Sequence, residues 1–382
     1  MMTGLSTGAR KPKGLFVTNR RHVGDAPGGV QTCSREYLAL LETAGTDIEI
    51  LAVDVDMRFS TRVRRALRTS PYTGSVSHRD GKRLAEMSRN VDLVFLNQVA
   101  LASALQTIDA RGEIGRKTVL LSHGAEVTDL LNHVRAKSKL PVSGRLRPTP
   151  MQAVRNILTD ELCARRGIAA AICLSPFDMD FERWLGVKNV AMVPRTVVSH
   201  ALDRKPIYYR FGFLGTLDHA PNLEGLFEVL QTIDGRGIHD LQIRVVGGPE
   251  RLGLWLAEQY NCITYLGPLA EDKLLPEAAT WSAFLNPIFC QARGCSTKLA
   301  TALGWELPII TTPVGRRGYV FSEGSMIEAN SPDAFVEAMF SLVNPSRNKE
   351  AQVQVALAAK SCPSMADNAR MIRPFFDMLM RA

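Results

Sequence analysis

The sequence predicts an α/β protein of two Rossmann-like, doubly wound parallel-sheet domains facing each other across a cleft. Three observations predict it. Short apolar strands stop at glycine-bearing loops and are followed by helices in both halves of the chain. With 382 residues and 46% hydrophobic content the chain exceeds one usual α/β domain and can fill two cores. Pro194 and Pro206 bracket a short segment between the halves, suited to a hinge around which the cleft closes.

Gly14 to Thr18 reads as the first buried strand, followed by a polar loop to Gly28 and Gly29 and an amphipathic helix from Val30 to Ala44. Val30, Cys33, Tyr37 and Leu41 recur at helical spacing, Gly45 stops the run, and Ile48 to Val53 forms the next strand of a βαβ start. Two glycines at the strand-to-helix turn let a ligand approach the backbone closely, or they serve a tight turn that needs positive φ. No G-x-G-x-x-G follows the first strand, which argues against a dinucleotide-binding oxidoreductase. Asn90 to Leu96 and Lys117 to Leu121 read as parallel strands, the second ending at Ser122-His123-Gly124-Ala125-Glu126. Ligands of such sheets bind beyond the carboxyl ends of strands, which puts His123 and Glu126 where chemistry is expected. The alternatives are a histidine that satisfies a carbonyl and a glutamate that caps a helix.

Val190 to Val193 closes the first half, and Tyr208 opens the second sheet. The expected division is residues 1–200, 201–360 and a terminal helix over 361–382. From Phe211 to Gly318 two strand-to-helix turns carry glycine, a geometry that aims free backbone N–H groups at an anion such as a nucleoside diphosphate. In the second turn Thr297 to Trp305 reads as a short helix with Leu299, Ala302 and Leu303 facing the sheet and Ser296 or Thr297 capping its start. Lys298 sits in the first turn of that helix, where an ammonium opposes the helix dipole unless an anion neutralises it. Strand Pro308 to Thr312 follows, and alanine- and methionine-rich helices run from near Asp333 to the end.

These residues resemble the GT-B-fold glycosyltransferases, especially the large family-four group that uses nucleotide sugars. Gly215 with Pro221-Asn222-Leu223-Glu224-Gly225 matches that family's glycine and Pro-Asn-x-Glu-Gly helix start. Gly294 to Leu299 matches its Gly-x-Ser-x-Lys-Leu helix, and Glu306 to Thr311 matches less perfectly its Gly-x-Pro-Val-Val-x-Thr strand entry. The resemblance covers most of the chain and is strongest in the C-terminal half. It implies that Gly215, the backbone of Gly294, Cys295, Ser296 and Thr297, and Lys298 hold a diphosphate, with Arg293 as a second cation. It further implies that Gly28 and Gly29 face the donor, that His123 touches the transferred sugar, and that Leu269 in Gly267-Pro268-Leu269 borders the base. The final helix would cross back to the first domain. Glu126 is a base if the reaction inverts, and orients the acceptor or a neighbouring helix if it retains. Two departures stand out. Thr301 replaces the glutamate that usually follows the lysine by three residues and holds the ribose, and Glu306 replaces a glycine. The implied reaction is retaining, metal-independent transfer from a nucleotide-diphosphate sugar to a glycan or lipid-linked acceptor. The alternatives are a degenerate member that binds a nucleotide or partner without transfer, and a nucleotide-sugar epimerase.

Charge is divided unevenly: residues 1–200 carry 29 Lys and Arg against 19 Asp and Glu, and residues 201–382 carry 17 against 19. Two runs concentrate it, Arg58 to Arg83 with eight basic residues and one acid, and Arg135 to Arg155 with six and none. Neither run has a clean amphipathic period, and two readings stand: attraction to an anionic membrane surface, or solvated loops that aid solubility. Nucleic acid is not expected, because only Phe59 and Tyr72 are available to stack bases. Seven cysteines without a C-x-x-C pair predict reduced thiols and a cytoplasmic protein, peripheral at the inner membrane face if the basic half docks there. No apolar run reaches eighteen residues, and the first dozen have no apolar core of a secretory signal. No cofactor or metal is expected: the seven histidines form no H-x-x-x-H pattern, and Asp54 and Asp56, on one face of a strand, read as a strand-end cap.

Overall fold

The computed structural model describes residues 10–24, 28–68, 72–109, 112–139 and 151–381. The leader reading of residues 1–9 and the middle of the second basic run, 140–150, lie outside the described residues. The first sheet comprises β1 (Lys13–Asn19), β2 (Asp47–Val53), β3 (Leu93–Asn97), β4 (Thr118–Leu121), β5 (Ala170–Cys173) and β6 (Asn189–Met192). All its pairings are parallel, in the order β2-β1-β3-β4-β5-β6. The second comprises β7 (Ile207–Leu214), β8 (Gln242–Val246), β9 (Ile263–Gly267), β10 (Trp281–Asn286), β11 (Ile309–Thr311) and β12 (Ile327–Glu328). It too is parallel throughout, ordered β12-β11-β10-β7-β8-β9.

Strand alternation explains why each sheet is covered on both faces. In the first, Leu15, Val17, Val94, Leu96 and Leu120 pack into one core, while Phe16, Leu93, Phe95, Val119 and Leu121 pack into another. A strand buried on both sides must be apolar at every position, which is why these runs read as continuous rather than alternating. The helix Met365–Arg381 returns to this first domain and sets Ala369, Ile372, Phe376 and Leu379 against the helix Gly29–Thr43. Phe376 meets Phe95 edge to face at 5.5 Å.

Two glycines of the second domain serve packing. A Cβ at Gly212 would fall 1.9 Å from the Trp281 ring, and one at Gly225 would fall 1.5 Å from the Pro287 carbonyl oxygen. The glycine of the Pro221–Gly225 motif therefore lets its helix lie on the end of β10. Glu306, where the family resemblance expects glycine, has φ of +54°. The turn after the helix Thr297–Gly304 demands the left-handed conformation, and a glutamate adopts it here, accepting a 2.8 Å bond from Ser199 Oγ.

The segment between the domains is not a free tether. Beyond Arg195 it is strapped to the second domain by His200 N to Gly304 O, Leu202 N to Trp305 O and Lys205 N to Ala279 O. Arg195 itself is buried, donating to Cys33 Sγ at 2.9 Å and Glu36 Oε1 at 2.8 Å.

Candidate functional site

A cleft of about 750 Å³ opens where the carboxyl ends of the two sheets face each other. Gly29, Val30 and Cys33 from the first helix, and His123 beyond β4, line one wall; Thr216, Asn222 and the stretch Ala292–Lys298 line the other. The starts of the helices Gly29–Thr43 and Thr297–Gly304 approach closely: a Cβ at Gly29 would lie 3.5 Å from Thr297 Oγ1. Two helix N-termini thus present their positive ends to one space.

Lys298 lies in this wall. A Cβ at Gly215 would stand 2.9 Å from the Phe213 ring and 3.0 Å from the Lys298 Nζ, so the ammonium lies close beside the glycine that follows β7. Among the described residues no carboxylate pairs with it, and burial alone draws its pKa down to about 8. A desolvated ammonium without a carboxylate beside it is costly, and an anion would offset that cost. Ser296 is the N-cap, yet its side chain makes no capping bond, in contrast to the capping expected from sequence. The small hydroxyl residues there leave the helix start open instead of closing it. Cys295 and Thr297 also line the cleft, with burial pushing the Cys295 thiol up to about 12, so that it is an inert wall at neutral pH.

Arg293 lines the cleft with its charge already engaged. Its Nε lies 2.6 Å from Asp129 Oδ2 and an Nη lies 3.6 Å from Glu126 Oε1. Glu126, whose pKa burial raises, is not among the cleft-lining residues, and its backbone N–H donates to Glu161 at 2.5 Å. The pair Arg293 and Glu126 spans the two domains. Around it Gly294 N donates to Asp178 Oδ1 at 3.1 Å, and Asn132 Nδ2 to Gln291 O at 2.7 Å. Gly124 has φ of +86°, and a Cβ there would stand 2.6 Å from Gly294 N, so the turn after β4 must be glycine for the domains to close to this distance.

His123 is fixed by a relay that sequence reading missed. Asn97, the last residue of β3, donates through Nδ2 to Thr18 Oγ1 at 2.9 Å and Ser34 Oγ at 2.7 Å. Its Oδ1 then accepts from His123 Nε2 at 2.7 Å, which leaves Nδ1 of the imidazole as a lone-pair acceptor. Burial first, and then the Arg293 charge, lowers the histidine's pKa to about 3, so the ring is neutral at physiological pH. Beneath the same loop, Ser122 Oγ donates to Glu182 at 2.7 Å, and buried Arg165 pairs with Glu182 at 2.5 Å. A polar residue closing an apolar strand was the available signal for Asn97. For Glu182, Glu161 and Asp178, which lie on helices, the linear sequence held no signal.

The remaining sequence candidates sit farther from the cleft surface. Gly28 precedes the first helix with φ of +155°, and a Cβ there would strike only the Gln31 side chain. Thr301 lies on the helix behind Lys298 and donates weakly to Thr297 O at 3.5 Å, and it is not among the lining residues. Leu269 is partly buried and packs against the core beside Leu266, Leu274 and Leu275. Asp54 and Asp56 are beyond the end of β2, engaged by Arg20 at 3.0 Å and Arg58 at 2.7 Å respectively.

Residues 208–345 match the model of the family described as glycosyl transferases group 1. The match lies within the second domain, which is similar to the group 1 glycosyl transferases. The likeness in fold extends over the whole chain. Sucrose-phosphate synthase from Thermosynechococcus elongatus superposes over 97% of this chain and 100% of its own with a TM-score of 0.64 at 13% identity. WaaG, a glycosyltransferase of lipopolysaccharide biosynthesis, covers 95% of this chain and 99% of its own with a TM-score of 0.58 at 13% identity. Anabaena HepE in complex with UDP-glucose covers 97% of both chains with a TM-score of 0.53 at 11% identity. At such identities the likeness establishes the GT-B fold. No curated protein matches the chain by sequence.

Proposed function

We propose that this glycosyltransferase moves a sugar from a nucleoside-diphosphate donor, held by the second domain, to an acceptor held by the first. The observation that carries the reading is Lys298: a desolvated ammonium with no carboxylate partner among the described residues, in the open first turn of a helix, beside Gly215. As the glycosidic bond breaks, negative charge grows on the departing diphosphate. A fixed ammonium and the free N–H groups of Thr297 and its neighbours stabilise that charge more than the ground state. Lys298 gives the chain a cation of its own for this role, and metal independence belongs to the same proposal. His123 Nδ1 is an acceptor for a sugar hydroxyl, held by Asn97, and Gly28 and Gly29 permit close approach of the donor to the first domain. Arg293, clasped by Asp129 and Glu126, supports the domain closure, and Glu126 acts as its partner more than as a base. Retention of configuration, the sugar and a glycan or lipid-linked acceptor belong to this proposal by resemblance. HepE's complex with UDP-glucose supports a nucleotide sugar as donor.

Thr301 favours a second reading, nucleotide binding without transfer, because its hydroxyl turns back into its own helix and leaves the ribose without the usual carboxylate. The two are separated by measuring binding and release in parallel. A nucleoside diphosphate should raise the melting temperature by mass action, and its sugar should release free diphosphate only with an acceptor. Lys298→Ala should cut transfer about 100-fold or more. Unchanged turnover in a folded variant refutes the role given to Lys298.

A further inference from the structure

The helix Phe59–Arg68 turns its apolar face outward. Phe59 is 81% exposed, Leu67 77% and Val63 39%, and Met57 just before the helix is 66% exposed. Phe59, Val63 and Leu67 are spaced i, i+4, i+8 and share one side. The opposite side holds the helix to the domain: Thr61 is buried and donates to Asp56 at 2.9 Å, and Arg65 donates to the carbonyls of Thr73 at 2.9 Å and Gly74 at 3.1 Å. Arg62 and Arg64 are exposed on the two flanks of the apolar ridge. Neither has an ion-pair partner among the described residues, and no acid lies between Met57 and Arg68. The expectation that the run Arg58 to Arg83 has no clean amphipathic period is corrected here: within Phe59–Arg68 apolar residues recur every four positions against arginines, and what the structure adds is that the apolar face meets solvent.

We propose that this helix lies in the interface of an anionic lipid bilayer, with Phe59, Val63 and Leu67 inserted among the acyl chains and Arg62 and Arg64 on the headgroups. An apolar ridge with guanidinium groups on both sides fits a surface that is apolar below and negative above; the arginine stems cover apolar depth while their heads stay among phosphates. The basic first half of the chain, 29 Lys and Arg against 19 acids, complements the same surface. The helix follows β2, so it stands at the carboxyl-end edge of the first sheet, the edge from which His123 and Gly29 reach the cleft. Resting on the transfer reading, this orientation selects an acceptor that is itself an amphiphile of the bilayer.

The test is sedimentation of the full chain with phosphatidylcholine vesicles, alone or with about 30 mol % phosphatidylglycerol. The chain should pellet with the anionic vesicles only and be released by about 0.5 M NaCl. The double variant Phe59→Ser with Leu67→Ser should lower partitioning at least about 100-fold, since two large apolar side chains no longer insert. Arg62→Glu with Arg64→Glu should abolish the preference for anionic lipid. Unchanged melting temperatures show that the variants are folded, these side chains being exposed. Equal pelleting with both vesicle types, or variants that pellet like the parent, overturns the proposal. So does a parent that is dimeric by light scattering and becomes monomeric on Phe59→Ser with Leu67→Ser, which would make the ridge a protein interface. No donor is present in the assay, so its outcome is independent of whether Lys298 binds a diphosphate.

Discussion

The burial of Lys298 makes nucleotide binding depend on pH in a window where an ordinary lysine would not titrate. With a pKa of about 8 in the empty cleft, the ammonium is about nine-tenths charged at pH 7 and about one-tenth charged at pH 9. If only the charged form binds a diphosphate, the apparent Kd weakens about tenfold between these values, equal to about 1.4 kcal/mol. A lysine at its usual value would lose almost nothing over the same range. Isothermal titration of ADP, UDP and GDP at constant ionic strength measures it, and binding at pH 9 should also take up about one proton per nucleotide. Lys298→Arg supplies the control: a guanidinium stays charged, and ionisation of the base or phosphate affects both proteins equally. The ratio of the two proteins' Kd values should therefore change about tenfold from pH 7 to 9. A ratio that stays constant, or Lys298→Ala binding as well as the parent, refutes the assignment of this side chain to the diphosphate.

Two further outcomes follow from single residues. His123 has its pKa lowered in the fold to about 3. The unfolded chain therefore binds more protons below about pH 6.5, and the stability this residue provides is full above that value and is lost as pH falls toward 3. Between pH 7.5 and 5 the loss should be about 2 kcal/mol, read as the difference in urea unfolding between the parent and His123→Gln; equal pH dependence in the two would contradict the neutral, Asn97-bound imidazole. Glu306, held at φ of +54°, should be improved upon by glycine: Glu306→Gly is expected to gain about 0.5–1 kcal/mol, the left-handed penalty outweighing glycine's extra unfolded-state entropy and one exposed bond to Ser199. A loss of more than about 1 kcal/mol in thermal unfolding would show that the Ser199 bond governs that turn.

Much of the fold was legible because burial on both faces leaves a plain mark. Runs such as Leu15-Phe16-Val17 and Leu93 to Leu96 can be apolar without alternation only if each side faces a core. The strand ends moved by a few residues: Asn90, Val91 and Asp92, read as strand, precede β3, and the helix after the first loop begins at Gly29. The cleft wall was legible where one turn of chain carries it, since Gly294 to Lys298 line the cleft. The site was not legible where carboxylates on separate helices converge, as Glu161 and Glu182 do beneath the loop of Ser122 to Glu126. No helix among the described residues is long and apolar enough to cross a membrane.

By itself the sequence determined two parallel sheets, the glycine-bearing turns at their carboxyl ends and the placing of a lysine in the first turn of a helix, because these depend on local periodicity and on residues a few positions apart. Only the tertiary structure decided that Lys298 has no carboxylate partner among the described residues while Arg293 has two, and that Thr301 faces its own helix. It also decided that the apolar residues of Phe59–Arg68 point outward. The reason is that charge pairing and exposure are set by neighbours distant in the chain: the same cation is a ligand for an anion or a domain clasp according to which acids another element brings within a few ångströms.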